Sequence, residues 1–190
     1  PPDPGQPDLP PVLLGLGRLN VVKGFDLAIE AMPSILEAHP EVRLRLVGDG
    51  PERGRLEAQV VQLGLQEKVE FTGMVGPEAI WEHYRQSTLV LAPSRSEGMP
   101  YVLLEAGAAA RPVIASRVDG NAEAVLDGET GLLIDPESPE QLSEQTIRLL
   151  EEPALARQLG QRARERIGLE FTVEGFANAF ESLYRELARG

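Results

Sequence analysis

No cysteine occurs among the 190 residues, which removes disulfide scaffolds, thiolate zinc sites, iron–sulfur clusters and thiol nucleophiles together. No apolar run approaches the roughly 18–20 residues needed to span a bilayer, and no stretch has the pattern of a secretory signal. Histidine is nearly missing, and its two residues are too few for a His-rich metal site. Lysine is as scarce: sixteen of the eighteen basic residues are Arg, and only Lys23 and Lys68 are Lys. Positive charge is in deficit overall, with 18 basic against 30 acidic residues and a net charge of −12. That balance argues against a general nucleic-acid binder, whose affinity rests on neutralising phosphates.

The remaining composition, 42% hydrophobic and 25% charged, is that of a folded globular chain. Its length fits one domain, or two small ones, and is enough to bury roughly 70% of the unfolded surface. Residues 1–11, PPDPGQPDLPP, are unsuited to helix or central strand and read as a linker. With no Met at the start, the expectation is a piece of a longer chain, with a domain at residues 12–190.

Short runs of branched apolar residues bounded by Gly, Pro or Asp predict strands at 12–16, 43–47, 69–72, 89–92, 113–116 and 131–134. Helical patterns lie between and after them, at 25–38, 51–63, 77–86, 100–109, 139–150, 153–167 and 172–187. Four of the first five begin with Pro, which the first turn of a helix tolerates. Regular alternation predicts an α/β fold: a Rossmann-like parallel sheet of about six strands with helices on both faces. In such a sheet ligands bind beyond the carboxyl ends of the strands, so the loops after each strand are where chemistry is expected.

The first of those loops reads Gly15-Leu16-Gly17-Arg18-Leu19-Asn20-Val21-Val22-Lys23-Gly24. A dinucleotide fingerprint would need Gly at position 20, and a Walker A loop would need Ser or Thr after Lys23; neither is present. What remains is two cations five residues apart on a Gly-flanked turn before a helix, which suits a diphosphate. The same spacing also describes an Arg and a Lys on a solvated loop. Further on, the segment from Ser94 to Ala106 carries Glu97 at a loop end, then Gly98, Met99 and Pro100, then Glu105 inside the helix. Glu105 lies about 7–8 Å along the axis from Pro100, at 1.5 Å per residue. Two carboxylates so placed could grip two hydroxyl-bearing ends of one polyol-like ligand, with backbone N–H groups around Gly98 and Met99 facing an anion. Otherwise Glu97 is a helix-start charge favoured by the macrodipole and Glu105 a surface residue. His39, His83, Trp81 and Tyr84 read as helix-end, surface or packing residues.

Seven short motifs then occur in order: Gly17-Arg18-Leu19 with Lys23-Gly24; Val47-Gly48-Asp49-Gly50-Pro51; Phe71-Thr72-Gly73; Pro93-Ser94; Glu97-Gly98-Met99-Pro100 with Glu105-Ala106; Pro112-Val113-Ile114-Ala115; and Asp127-Gly128-Glu129-Thr130-Gly131-Leu132. Together they resemble the family 4 retaining glycosyltransferases, also called glycosyl transferases group 1, over residues 12 to 187. The resemblance is to the C-terminal half only, the nucleotide-sugar donor domain of a two-domain GT-B fold. It implies that Arg18 and Lys23 hold the donor diphosphate and stabilise charge on the departing nucleotide. Glu97 would then bind sugar hydroxyls beside the amides of Gly98 and Met99, with Pro100 opening the helix and Glu105 on the ribose. Met74 and Val75 would line the base.

The implied donor is a UDP-, GDP- or ADP-sugar, with no metal or other cofactor. The implied partner is a missing N-terminal acceptor domain, without which the fragment would bind nucleotide but transfer little. The resemblance places such enzymes in the cytoplasm, or at the inner membrane face through the missing half. The sequence departs from the family pattern with Met99 where Phe is frequent, and with Asp119-Gly120 where Gly-Gly is frequent. A sugar-nucleotide epimerase half of similar fold, or a non-catalytic nucleotide-sugar sensor, fits the phosphate end of the same pattern.

Overall fold

The structure is a computed structural model and describes residues 10–170. Six strands form one sheet: β1 (Val12–Leu16), β2 (Arg43–Val47), β3 (Val69–Gly73), β4 (Leu89–Ala92), β5 (Val113–Ser116) and β6 (Leu132–Ile134). Their spatial order is β3-β2-β1-β4-β5-β6, and every neighbouring pair is parallel. Because successive side chains leave a strand on opposite faces, these apolar runs feed two cores at once. Leu13, Leu89, Leu91 and Ile114 pack into one core; Leu14, Val90, Val113 and Ala115 pack into the other.

The first face is covered by α1 (Phe25–Ala38), α2 (Arg53–Gln62), α6 (Pro139–Glu151) and α7 (Pro153–Glu170), through residues such as Ile29, Leu56, Leu142 and Leu159. The second lies under α3 (Pro77–Gln86) and α4 (Tyr101–Ala108), through Tyr84, Leu103 and Ala106. A short α5 (Asp119–Ala124) follows β5. The α/β expectation therefore holds, strand by strand. Among the described residues, no helix is long and apolar enough to cross a membrane.

The corrections concern boundaries. Three Pro residues do open helices, Pro77, Pro139 and Pro153. Pro100 instead caps α4 from outside, and α2 starts at Arg53, two residues past Pro51. The strand expected at 131–134 starts at Leu132, because Gly131 is spent on an isolated bridge to Asp127. The six-residue α5 has no apolar periodicity to read, and a single 3-10 turn at Val21–Lys23 is too short to show one. The helix expected at 172–187, and all but the end of the linker at 1–11, lie outside the described residues.

The direction in which successive strands are added reverses between the two central strands: β1 connects outward to β2, and β4 outward to β5. The loops leaving β1 and β4 therefore diverge and leave a crevice between them. The cationic loop and the Glu97 loop are these two.

Candidate functional site

The β1 loop is built to present Lys23. Asn20, where a dinucleotide fingerprint would require Gly, caps the 3-10 turn: its side-chain oxygen accepts from the Lys23 N–H at 3.1 Å. Gly24 ends the turn in the left-handed conformation at φ 65 and begins α1. A Cβ at Gly24 would stand 1.9 Å from the Pro93 carbonyl oxygen, so the β1 and β4 loops touch backbone to backbone here.

Across that contact, Lys23 Nζ donates to Glu97 Oε2 at 2.6 Å. Both side chains are largely shielded from solvent, at 23% and 15% exposure. Residues 74 positions apart are thus one ion pair. Arg18, by contrast, is exposed and has no acidic partner among the described residues.

Arg18 lies on the rim of a cleft of about 670 Å³ above the carboxyl ends of β1, β2 and β3. Leu16, Val47, Val75 and Ile80 give this cleft an apolar wall, and Met74, 82% exposed, stands at its mouth. Leu16 also lines the smaller chamber under Lys23 and Glu97, so the two spaces are neighbours. The expected base-lining pair, Met74 and Val75, shares the larger cleft with Arg18. Pro100 belongs to the chamber side. Gly98 and Met99 are exposed, and their N–H groups meet no acceptor among the described residues. They precede the Pro100 cap, so they are loop amides and not the first turn of α4.

Glu105 lines neither space. Its Oε2 accepts a 2.8 Å hydrogen bond from the hydroxyl of Tyr84, a fully buried ring on α3 one turn beyond Ile80. Burial, and then the Glu105 charge and hydrogen bond, push the phenol far above its ordinary range, so Tyr84 stays a donor and holds the carboxylate in one orientation. Tyr84 thus does more than the packing expected of it, while its ring neighbour Trp81 is half exposed.

Three further parts were not foreseen. Asp49 reaches the cleft, an acid among the cations, but its oxygens accept from Gly50 N–H at 2.7 Å and Arg53 at 3.5 Å, which turns its charge toward its own loop. Gly120, at the start of α5, donates its N–H to the Glu97 carbonyl at 2.9 Å. A Cβ there would lie 2.4 Å from the Gly98 carbonyl oxygen, so of Asp119-Gly120 the glycine that the contact requires is present. Asp119 itself is exposed.

The third part is Arg95, which spans the two loops. Its backbone N–H donates to Val22 O and its guanidinium to Val21 O, to both Asp26 oxygens at 2.8 and 2.9 Å, and to Glu137 at 2.5 and 3.0 Å. Such a fully used fork fixes geometry more than a Lys could. Burial raises the Asp26 carboxyl, but the Arg95 hydrogen bonds and charge, with Arg55 behind them, outweigh it and hold Asp26 below the usual range. Because the folded carboxyl is the stronger acid, its stabilisation is complete above the unfolded value of about 3.9 and is lost as pH falls through the lower folded value. Urea unfolding between about pH 5 and pH 2 should therefore show stability falling with acid, and Asp26→Asn should flatten that fall. An equal slope in the variant would mean the Arg95 clamp carries none of it.

A family model described as "Glycosyl transferases group 1" matches residues 1–166. The chain belongs to that family. It is 36% identical over 187 residues to a D-inositol 3-phosphate glycosyltransferase of Acidothermus cellulolyticus, covering 92% of this chain and 42% of that one. It is 39% identical over 173 residues to an exopolysaccharide phosphotransferase of Streptomyces coelicolor, covering 90% of this chain and 18% of that one. The chain thus spans less than half the length of these curated relatives.

Among solved structures, Anabaena HepE in complex with UDP superposes with a TM-score of 0.81 at 26% identity, covering 90% of this chain and 48% of that one. The C-terminal domain of a glycosyl transferase group 1 family protein, LpcC from Francisella tularensis, superposes at 0.78 and 26% identity, covering 88% of this chain and 90% of that one. The sheet just described is therefore a glycosyl transferases group 1 domain with GT-B-type neighbours.

Proposed function

We propose that this glycosyl transferases group 1 domain is the donor-binding, C-terminal half of a family 4 enzyme that transfers sugar from a nucleoside diphosphate with retention of anomeric configuration. The observation that carries the reading is the 2.6 Å Lys23–Glu97 pair at the β1/β4 crevice, beside the uncompensated Arg18. A diphosphate needs cations, a sugar needs hydroxyl acceptors, and the pair offers both within a single hydrogen bond of each other. Support also comes from the match to nearly all of a C-terminal domain and from a neighbour that holds UDP.

In this reading the C1–O bond to the diphosphate breaks and the nucleotide leaves with the electron pair, while an acceptor hydroxyl bonds to C1 from the same face and gives its proton to the departing phosphate oxygen. Arg18, Lys23 and the Gly98 and Met99 amides stabilise the charge that develops there, a task for which preorganised donors suffice without a metal ion. Glu97 accepts from sugar hydroxyls, the base lies against Met74 and Val75, and the ribose reaches past the cleft lining to the Glu105 oxygen that Tyr84 does not hold. The acceptor would come from an N-terminal domain, so this half alone binds nucleotide and transfers little sugar. Its place is the cytoplasm or the inner membrane face.

Calorimetry with UDP, GDP and ADP tests the reading: one of the three binds with micromolar-range affinity, and a folded protein that binds none contradicts it. Glu97→Gln separates the two ends of the site. With its counter-charge gone, Lys23 turns wholly to phosphate, so UDP binds roughly threefold tighter while UDP-glucose loses its advantage over UDP. An unchanged ratio between the two ligands would remove Glu97 from the sugar end.

A further inference from the structure

Under the Lys23–Glu97 pair lies the smaller chamber, of about 10 Å³. By this measure roughly 10–15 Å³ holds one water molecule, provided it finds two to four polar partners. Four polar side chains line the chamber: Lys23, Ser94, Glu97 and Asn121. Asn121 is completely buried, and its Nδ2 donates to the Ser116 carbonyl at 3.0 Å, which settles which end of the amide is oxygen. Its Oδ1 is buried and meets no donor among the described residues. A buried acceptor left dry is one of the costlier faults in a fold. The neighbouring Gly120 locks α5 against the Glu97 and Gly98 carbonyls, so the Asn121 amide is held in register with Glu97.

We propose that this chamber is a site for one O–H donor, with Asn121 Oδ1 as its acceptor, and that Asn121 thereby positions Glu97. The donor group is an ordered water or a hydroxyl of the bound sugar; only the second alternative rests on the nucleotide-sugar reading. A water here donates one hydrogen bond to Asn121 Oδ1 and one to the Glu97 carboxylate, and accepts from Lys23 or the Ser94 hydroxyl. Asn121 then acts on the sugar end through Glu97 and leaves the cationic end alone.

Crystal structures of the protein, free and with UDP-glucose, test this directly. The free protein shows a density peak within hydrogen-bonding distance of Asn121 Oδ1 and of at least one of Lys23, Ser94 and Glu97. In the complex the peak persists if the donor is water and merges with the ligand if it is a sugar hydroxyl. A chamber that is dry in both overturns the proposal.

Asn121→Leu fills the space with methyl groups. UDP-glucose affinity then falls about tenfold while UDP affinity stays within about twofold, whereas a purely structural role would lower both together. If that variant does not fold, the wild-type density decides alone. A protein that binds no nucleotide but shows the peak defeats the donor reading and leaves this site standing.

Discussion

Lys23→Ala should weaken UDP binding about 100-fold while leaving uridine binding unchanged. Two unit charges 4 Å apart interact with about 4 kcal/mol at an effective dielectric constant near 20. Lys23 is 23% exposed and already shares its charge with Glu97, so roughly 2–3 kcal/mol is a fair discounted figure, equal to about 30–150-fold. The loss has a second source. Removing the ammonium leaves the Glu97 carboxylate, 15% exposed, without its partner and beside the incoming phosphates. The double variant Lys23→Ala/Glu97→Gln should therefore bind UDP better than Lys23→Ala alone, and by more than the roughly threefold gain that Glu97→Gln gives by itself, an excess that only a coupled pair produces. Titration calorimetry of the four proteins reads all of this, and strictly additive effects would show that the two residues serve separate sites.

Gly24→Ala should lower the unfolding free energy by about 3–5 kcal/mol, the range reserved for strain and steric collision. The residue sits at φ 65, and its added methyl would stand 1.9 Å from the Pro93 carbonyl oxygen, which cannot retreat without carrying the Glu97 loop away. Gly54 is the control. It lies inside α2, where an added methyl would meet nothing within 4 Å, so Gly54→Ala should stabilise by about 0.5–1 kcal/mol. Urea unfolding of both variants decides it; similar midpoints would mean that the two loops are not in fixed contact.

The sheet was legible in the sequence because a parallel strand buried on both faces must be a short, branched, apolar run, as β1, β4, β5 and β6 are, while β2 and the edge strand β3 mix such residues with Arg43, Arg45 and Glu70. The site was legible as far as it follows from strand ends: knowing where β1 and β4 stop puts Lys23 and Glu97 at one crevice. The supporting contacts were not. Arg95 reaches Asp26 across 69 residues and Glu137 across 42, and no local pattern encodes a side-chain bond of that length. Tyr84 looked like core because it is core; its hydroxyl bond to Glu105 depends on how α3 packs on α4. Asn121 lay in a helix too short to announce itself. Asn20 was visible only as a missing glycine, and its role as the cap that sets Lys23 emerges once the 3-10 turn is seen.

One crystal structure, of the protein with UDP-glucose, tests the central claim most directly. Pyrophosphate oxygens should lie between the Arg18 guanidinium and the Lys23 ammonium, with the glucose hydroxyls against Glu97 and the uracil beside Met74 and Val75. A nucleotide bound elsewhere on the sheet, or one lying in the cleft with its phosphates turned away from both cations, would contradict it.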